Sequence, residues 1–299
     1  MSISVLIGAL EQGLIYGLVA MGIYLSYRTL DIADLTTDGT FTLGAATSAI
    51  FTTIGMPILG IICAIAAGML AGSVTALLQT KLKVQPILAG IITMTALYSI
   101  NLMVMGNKPN LPLLKSDTIF TFMEKLLGNY GKIVLIVIIV AASGAALVLF
   151  LKTQLGLSIR ATGDNRDMVA ASSINPAFTT TIGLCMSNGI VALSGAILAQ
   201  YQRYSANDVG TGMVVIGLAS LIIGEVIIGR GGVTRCVIGA VIGAVIYRIL
   251  LTFAITTSLV SASNLKLVSA IIVAAAISYP AIKGALALRA QRKAAQHDA

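Results

Sequence analysis

Apolar residues run along this chain in nine blocks, at about residues 4–27, 40–55, 57–80, 85–106, 132–151, 177–200, 213–229, 235–257 and 266–283. Most approach the roughly 20 residues that a helix needs to cross a hydrocarbon core of about 30 Å. Inside lipid every backbone N–H and C=O must be paired within the protein, which leaves helices or closed barrels. A barrel strand alternates apolar and polar positions, and these blocks do not. The pattern therefore predicts an all-α, polytopic transmembrane bundle of about 8–10 spans, forming one domain over residues 1–299. The second and seventh blocks are short, so one or two helices are expected to be broken, tilted or half-membrane pieces.

The polar stretches between the blocks carry most of the remaining information. The longest ordered one, Thr153 to Asn175, interrupts the bundle centrally. Asp164 or Asn165 is placed to cap a short helix through Met168 and Ala171, and Pro176 sets the start of the next span. A short helix with small residues on one side suits the groove of another protein; an ordinary solvated loop is the competing reading. Residues 107–130 form a second long connection, read either as an interfacial helix around Ile119–Leu127 that caps an entrance or as a plain loop. Small residues recur at four-residue spacing, as at Gly60, Ala64 and Gly68 and at Gly239 and Gly243, which lets membrane helices pack closely.

Charge gives the orientation. With the C-terminal tail, residues 284–299, placed in the cytoplasm, twelve Lys and Arg residues fall on that side and six on the other, with Arg248 inside a span. The excess of basic residues marks the cytoplasmic face. On this reading the insert at 153–175 is cytoplasmic, the 107–130 connection is extracytoplasmic, and nine crossings put the N-terminus outside. The protein is expected in the cell membrane. The N-terminal block lacks the basic region and short core of a cleavable signal, so it is read as a mature first span.

Composition agrees. Hydrophobic residues make up 57% of 299 and charged residues 10%, with a mean hydropathy of +0.97; soluble domains carry about 25% charged residues. The net charge of +8 belongs to the loops, so nucleic acid is not expected as a partner. The three cysteines are isolated and the one histidine, His297, lies in the tail, so neither a metal site nor a disulfide framework is indicated. There is no phosphate loop of the GxxxxGK[ST] kind and no GxSxG or HExxH. The chain is therefore read as a non-catalytic subunit with no cofactor of its own.

Two polar sets inside or beside the spans are candidate working groups. In the break from Leu30 to Gly39, Asp31, Asp34 and Asp38 stand at i, i+3 and i+7, so one helical face holds all three if the break is helical. Together with Thr36 and Thr37 they are either part of a substrate gate, as discontinuous transporter helices provide, or a wet cytoplasmic loop with Asp38 as a cap. A cation site built from the acids is a third reading. Glu11, Glu225 and Arg248 sit within apolar blocks, where a charge costs at least about 2.5–3.5 kcal/mol unless it finds a partner or water. At 1.5 Å per residue, Glu11 and Arg248 lie at about 10 and 14 Å from the same surface, which predicts a buried Glu11–Arg248 ion pair. Glu225 is expected near the inner end of its span, on the substrate path or gate.

The motifs Tyr16–Gly39 (YGLVAMGIYLSYRTLDIADLTTDG), Gly156–Asn165 (GLSIRATGDN), Gly217–Gly229 (GLASLIIGEVIIG) and Gly239–Gly243 (GAVIG) occur in this order. The chain resembles the permeases of ATP-binding-cassette (ABC) importers of the branched-chain amino-acid and ribose type. Asn207–Gly210 (NDVG) and Ile223–Glu225 (IGE) are closest to the subgroup assigned to tryptophan or tyrosine uptake. Asp34, Thr36, Thr37 and Asp38 stand where the amino-acid branch usually has Asn-Phe-Ala-His-Gly, which leaves a sugar or nucleoside open as the solute.

The resemblance implies a permease dimer, a homodimer in the first place, in membrane lipid. It also implies two ABC ATPase subunits that bind ATP and Mg, and an extracytoplasmic solute-binding protein that delivers a small solute. It makes the 153–175 insert the ATPase docking loop, with Arg160, Ala161, Thr162, Gly163, Asp164, Asn165, Arg166, Ala170 and Ala171 as docking residues. From the residues alone two rivals remain: an ion-coupled secondary carrier using Asp31, Asp34, Glu11 or Glu225, and an assembly subunit without a pore.

Overall fold

The computed structural model describes residues 3–114, 116–229 and 231–256, and beyond them 267, 269–271, 273, 274 and 278. The ninth apolar block and the 284–299 tail therefore lie largely or wholly outside the described residues. The first eight blocks are all helices: α1 Ile3–Ile23, which continues through a π-helical turn at Tyr24–Thr29, α2 Thr36–Thr53, α3 Pro57–Thr80 and α4 Pro86–Val104. After a short strand β1 (Asn110–Pro112) come α5 Ile119–Leu127, α6 Gly131–Lys152, α7 Gln154–Asp164 and α8 Arg166–Ala171. The chain then forms α9 Pro176–Gln202, β2 Tyr204–Ala206, α10 Met213–Ile228 and α11 Val233–Thr256. Among the described residues six helices are long and apolar enough to span a membrane, and α10 is a shorter apolar helix. The protein is a multi-pass membrane bundle.

Helix α1 is the hub. It packs on α9, α10, α11 and α6, and Ile15, Leu18, Val19 and Ala20 are fully buried. Its contact with α9 is antiparallel: Ser194 Oγ donates to the Ile15 carbonyl and Ser187 Oγ to the Gly22 carbonyl, both at 2.7 Å. A second group forms on another side of α9, where α2 and α3 pack on it and α4 packs on α2 and α3. Here the small residues act. Gly72 of α3 faces Leu184 and Asn188 of α9, Gly44 of α2 faces Ala192, and Gly60 lies against Ser48 and Phe51. Gly224 and Gly239 bring α10 and α11 together in the same way. Close backbone approach is what association in lipid relies on, since apolar burial gives little there.

Successive spans alternate in direction, and this fixes two ends. At one, β1 and β2 pair antiparallel, with Leu111 opposite Ser205. They join the 107–130 connection to the segment after α9. These strands were not expected. The same connection contains α5, an amphipathic helix closed by a capping box between Thr118 and Thr121, as the interfacial reading required. At the other end lie α7, α8, the π turn and the exit of α10. Lys152, Arg160, Arg166, Arg28 and Arg235 gather there with the turn carrying Lys81 and Lys83.

The close α3–α9 contact gives a test. Gly72→Leu should lower stability by about 1–3 kcal/mol, the usual cost of overpacking, whereas Gly8→Leu, whose added carbon meets nothing within 4 Å, should not. Thermal melting of the purified protein in detergent reads the difference.

Candidate functional site

Helix α9 spans 27 residues, or about 40 Å. Thr40 of α2 donates to Asn188 Oδ1 at 2.8 Å, and Asn188 is twelve residues from Pro176, roughly halfway along α9. Helix α2 thus begins inside the bundle instead of at its edge. Helix α10 does the same. The segment from Asn207 to Gly212 dips inward, with Gly210 N–H donating to Thr42 Oγ1 at 3.1 Å. Gly212 then turns the chain at φ +86, a conformation that only glycine adopts without strain.

The first N–H groups of α10 therefore face protein, not water. Asp38 supplies what they need. Its Oδ2 accepts from Gly212 N at 2.8 Å and its Oδ1 from Val214 N at 2.8 Å. The carboxylate also meets the positive end of the helix dipole. The two discontinuous helices are joined at their N-termini through one side chain.

Behind Asp38 lies a buried polar network. Asp34, only 4% exposed, accepts from Thr36 N at 2.9 Å and from Asn188 Nδ2 at 2.7 Å. Thr36, Thr75 and Thr93 continue it in a hydroxyl chain at 2.8 and 3.0 Å across α2, α3 and α4, and Thr37 Oγ1 donates to the Asp34 carbonyl at 2.9 Å. Asp34 lies in the non-helical link between α1 and α2.

In front of Asp38 lies a cavity of roughly 280 Å³, lined among others by Asp38, Thr42, Tyr98, Asn101 and Asn207. Of the expected path residues, Asp38 alone lines it. Asp34, Thr36 and Thr37 are locked in the network behind. Glu225 is about twelve residues down α10, where it forms an ion pair with Arg28 at 2.9 Å (Nε to Oε1). The three acids of the break do not share a face. Asp31 adopts φ +56 and is exposed, because Ser26 accepts from Ile32 and ends the π turn there. Among the described residues no group of three acids, cysteines or histidines is close enough to hold a metal. Asn101 and Asn188 were not singled out from sequence, and Asn207 was noted only within the NDVG motif, not as a site residue. Asn101 and Asn188 did carry a signal: an amide inside an apolar block needs a partner in lipid.

The expected Glu11–Arg248 ion pair is not formed. The two helices do meet, with Gly13 of α1 against Val245 of α11, but each charge takes another partner. Tyr201 OH donates to Glu11 Oε2 at 2.7 Å. Arg248 donates to Gln12 Oε1 and lies 5.4 Å from the Tyr16 ring centroid. A phenol and an aromatic face solve the charge problem that sequence assigned to a single pair.

The insert holds two helices, one more than expected. Thr153 caps α7 through Gly156 N at 3.2 Å, and Asn165, not Asp164, caps α8 through Met168 N at 3.0 Å. Arg160, Asp164, Asn165, Arg166, Ala170 and Ala171 are exposed and Ala161 is half-buried. Thr162 and Gly163 do not belong to this outer face. Thr162 is buried and shares a 2.8 Å hydroxyl bond with Thr179 of α9, and Gly163 packs on the Thr29 backbone of the π turn. They seat the insert on the bundle.

Residues 5–277 match the family described as branched-chain amino acid transport system / permease component. The tyrosine transport system permease protein of Clostridioides difficile is 36% identical over 271 residues, 90% of this chain and 89% of that one. An uncharacterised protein of Rickettsia prowazekii is 35% identical over 74% of this chain and 77% of its own length. The galactofuranose transporter permease protein YtfT of Escherichia coli is 28% identical over 75% of this chain and 66% of its own. No solved structure matches the chain significantly.

The Asp38 cap is directly testable. Asp38→Ala should destabilise the protein by about 3 kcal/mol, because two buried N–H groups lose their acceptor. Asp38→Asn, which keeps one acceptor oxygen, should lose about half as much by thermal or denaturant unfolding in detergent.

Proposed function

This chain belongs to the family of permease components of branched-chain amino acid transport systems, and on that premise we propose that it imports a small amino acid with an aromatic or branched side chain, through the cavity at Asp38. The chain is the membrane-spanning permease of an ABC importer. What favours an amino acid over a sugar is the balance of its relatives: the tyrosine permease is alike over 90% of this chain at 36% identity, the galactofuranose permease over 75% at 28%. The single observation that carries the path is the meeting of two helix N-termini at Asp38 beside a cavity. Interrupted helices place polar groups at the middle of a bundle in this way.

The import cycle needs partners: two ATPase subunits that hold ATP and Mg, a solute-binding protein, and a second permease copy. The α7–α8 end is cytoplasmic in this reading, as the basic residues gathered there require. Its outer face offers an ATPase groove the exposed side chains of Leu157, Met168 and Ala170, rimmed by Arg160, Asp164, Asn165 and Arg166. A displacement of α7 acts on the π turn through the Gly163–Thr29 contact. The Arg28–Glu225 ion pair passes it to α10, whose far end is the Asp38 cap. ATP binding then selects between bundle arrangements that expose the cavity to opposite sides. The permease makes and breaks no covalent bond.

Two measurements test this. Cells expressing the permease with its partner subunits should accumulate labelled tyrosine, and not galactose, in an ATP-dependent manner; accumulation that follows the proton gradient at constant ATP would instead mark an ion-driven carrier. Arg160→Glu, which reverses a charge on the docking rim, should cut uptake at least tenfold while the permease still folds and the ATPase still hydrolyses ATP. Unchanged uptake would remove α7 from the docking face.

A further inference from the structure

Two residues that line the cavity, Asn101 and Asn207, carry amide oxygens that are closed to solvent and have no hydrogen-bond partner. Asn101, 1% exposed, donates from Nδ2 to the Gly39 carbonyl at 3.2 Å, and its Oδ1 accepts nothing. Asn207, 9% exposed, donates from Nδ2 to the Tyr98 carbonyl at 3.4 Å, and its Oδ1 is likewise unpaired. Both donors are directed at main-chain carbonyls, which fixes which end of each amide is oxygen. A buried acceptor without a donor costs about 1–3 kcal/mol, so two in one cavity are unusual and call for an explanation.

The surroundings narrow the missing donor. Asp38 is the one charged residue among those lining the cavity, and no Lys or Arg lines it. An acid and two amide oxygens favour a cation with N–H donors over a carboxylate or phosphate, and over a neutral hydroxyl. At roughly 280 Å³ the space lies just below the ~300–1,000 Å³ of sites for drug-sized ligands, so it holds one small solute. Both oxygens are closed to solvent in this conformation. That suits a site exposed only during part of a transport cycle.

We infer that Asn101 Oδ1 and Asn207 Oδ1 form a binding site for the primary ammonium group of the transported solute, with the Asp38 carboxylate supplying the field. The inference rests on the import reading and adds to it a recognition step inside the permease, separate from any selection by a binding protein.

The experiment uses the full-length permease in lipid nanodiscs and four probes: L-tyrosine, tyramine (the ammonium without the carboxylate), 3-(4-hydroxyphenyl)propionate (the carboxylate without the ammonium) and D-galactose. Tyrosine and tyramine should bind and raise the melting temperature, and the other two should not. Asn207→Ala and Asn101→Leu should each raise the Kd for tyramine about tenfold or more, since a hydrogen bond to a charged group is worth about 1.5–3 kcal/mol. Asn207 lies on a connecting segment, so its variant is the less prone to misfold. The probe comparison on the unaltered protein depends on neither variant.

Three results would overturn the inference: equal binding of the des-amino acid, no binding of tyramine, or variants that lose stability equally with and without tyramine while keeping its Kd. The last would mark the amides as purely structural. Tyrosine uptake in cells without tyramine binding would sink this inference and leave the import reading standing. Tyramine binding without uptake of any amino acid would sink the import reading and, with it, the assignment of these amides to a transported solute, leaving only an amine-binding site.

Discussion

A helix that begins inside an apolar bundle must hand its first N–H groups to an acceptor, because no water is there to take them and each unpaired group costs several kcal/mol. Helix α10 meets this demand with one residue, Asp38 of α2. Remove that acceptor and α10 has no reason to start where it does. With it, the chain can leave the β1–β2 end, dip inward and turn at Gly212, and the space between α2, α4 and the dipping segment becomes a cavity with Asp38 in its wall. The discontinuity and the cavity are one feature seen twice.

The same rule explains how the other polar groups are housed. Asp34 is enclosed by Asn188 and the Thr36 amide, and the threonine chain across α2, α3 and α4 ends on the Ala89 carbonyl. Each of these side chains has a hydrogen-bond partner inside the bundle. The two amides in the cavity are the contrast, each half-bonded with its oxygen unused. Saturation separates what holds the bundle together from what remains available to a solute. A position in sequence cannot do that: Asp34 and Asp38 are four residues apart and each carboxylate accepts two hydrogen bonds, yet only Asp38 lines the cavity.

Movement has an equally local basis. The insert α7–α8 touches the bundle through Thr162, Gly163 and Val169, while its charged residues face outward. The π turn at the end of α1 receives that contact and carries Arg28, whose ion pair reaches α10. π-Helical turns are often found at working positions in helices. A rigid α1 at the centre and short linkages at its end give a compact route from the surface to the Asp38 cap.

The first eight helical blocks, their order, their small-residue faces and the polar insert were legible in the chain, because lipid imposes one rule on every spanning segment and that rule acts through local hydropathy and helical spacing. The short second and seventh blocks even marked which helices would be discontinuous. Partner choice was another matter. Glu11 and Arg248 lie at similar depths on neighbouring helices, yet Tyr201 and Gln12 intervene. Thr162 and Gly163 sit among docking residues in sequence and face the other way in space. Asn101 and Asn207 are 106 positions apart and meet only where α4 and the dipping segment converge on Asp38. Hydropathy is a property of each residue with its solvent, so it can be read along the chain; hydrogen bonding inside the bundle depends on angles and distances between helices, which exist only once they have packed.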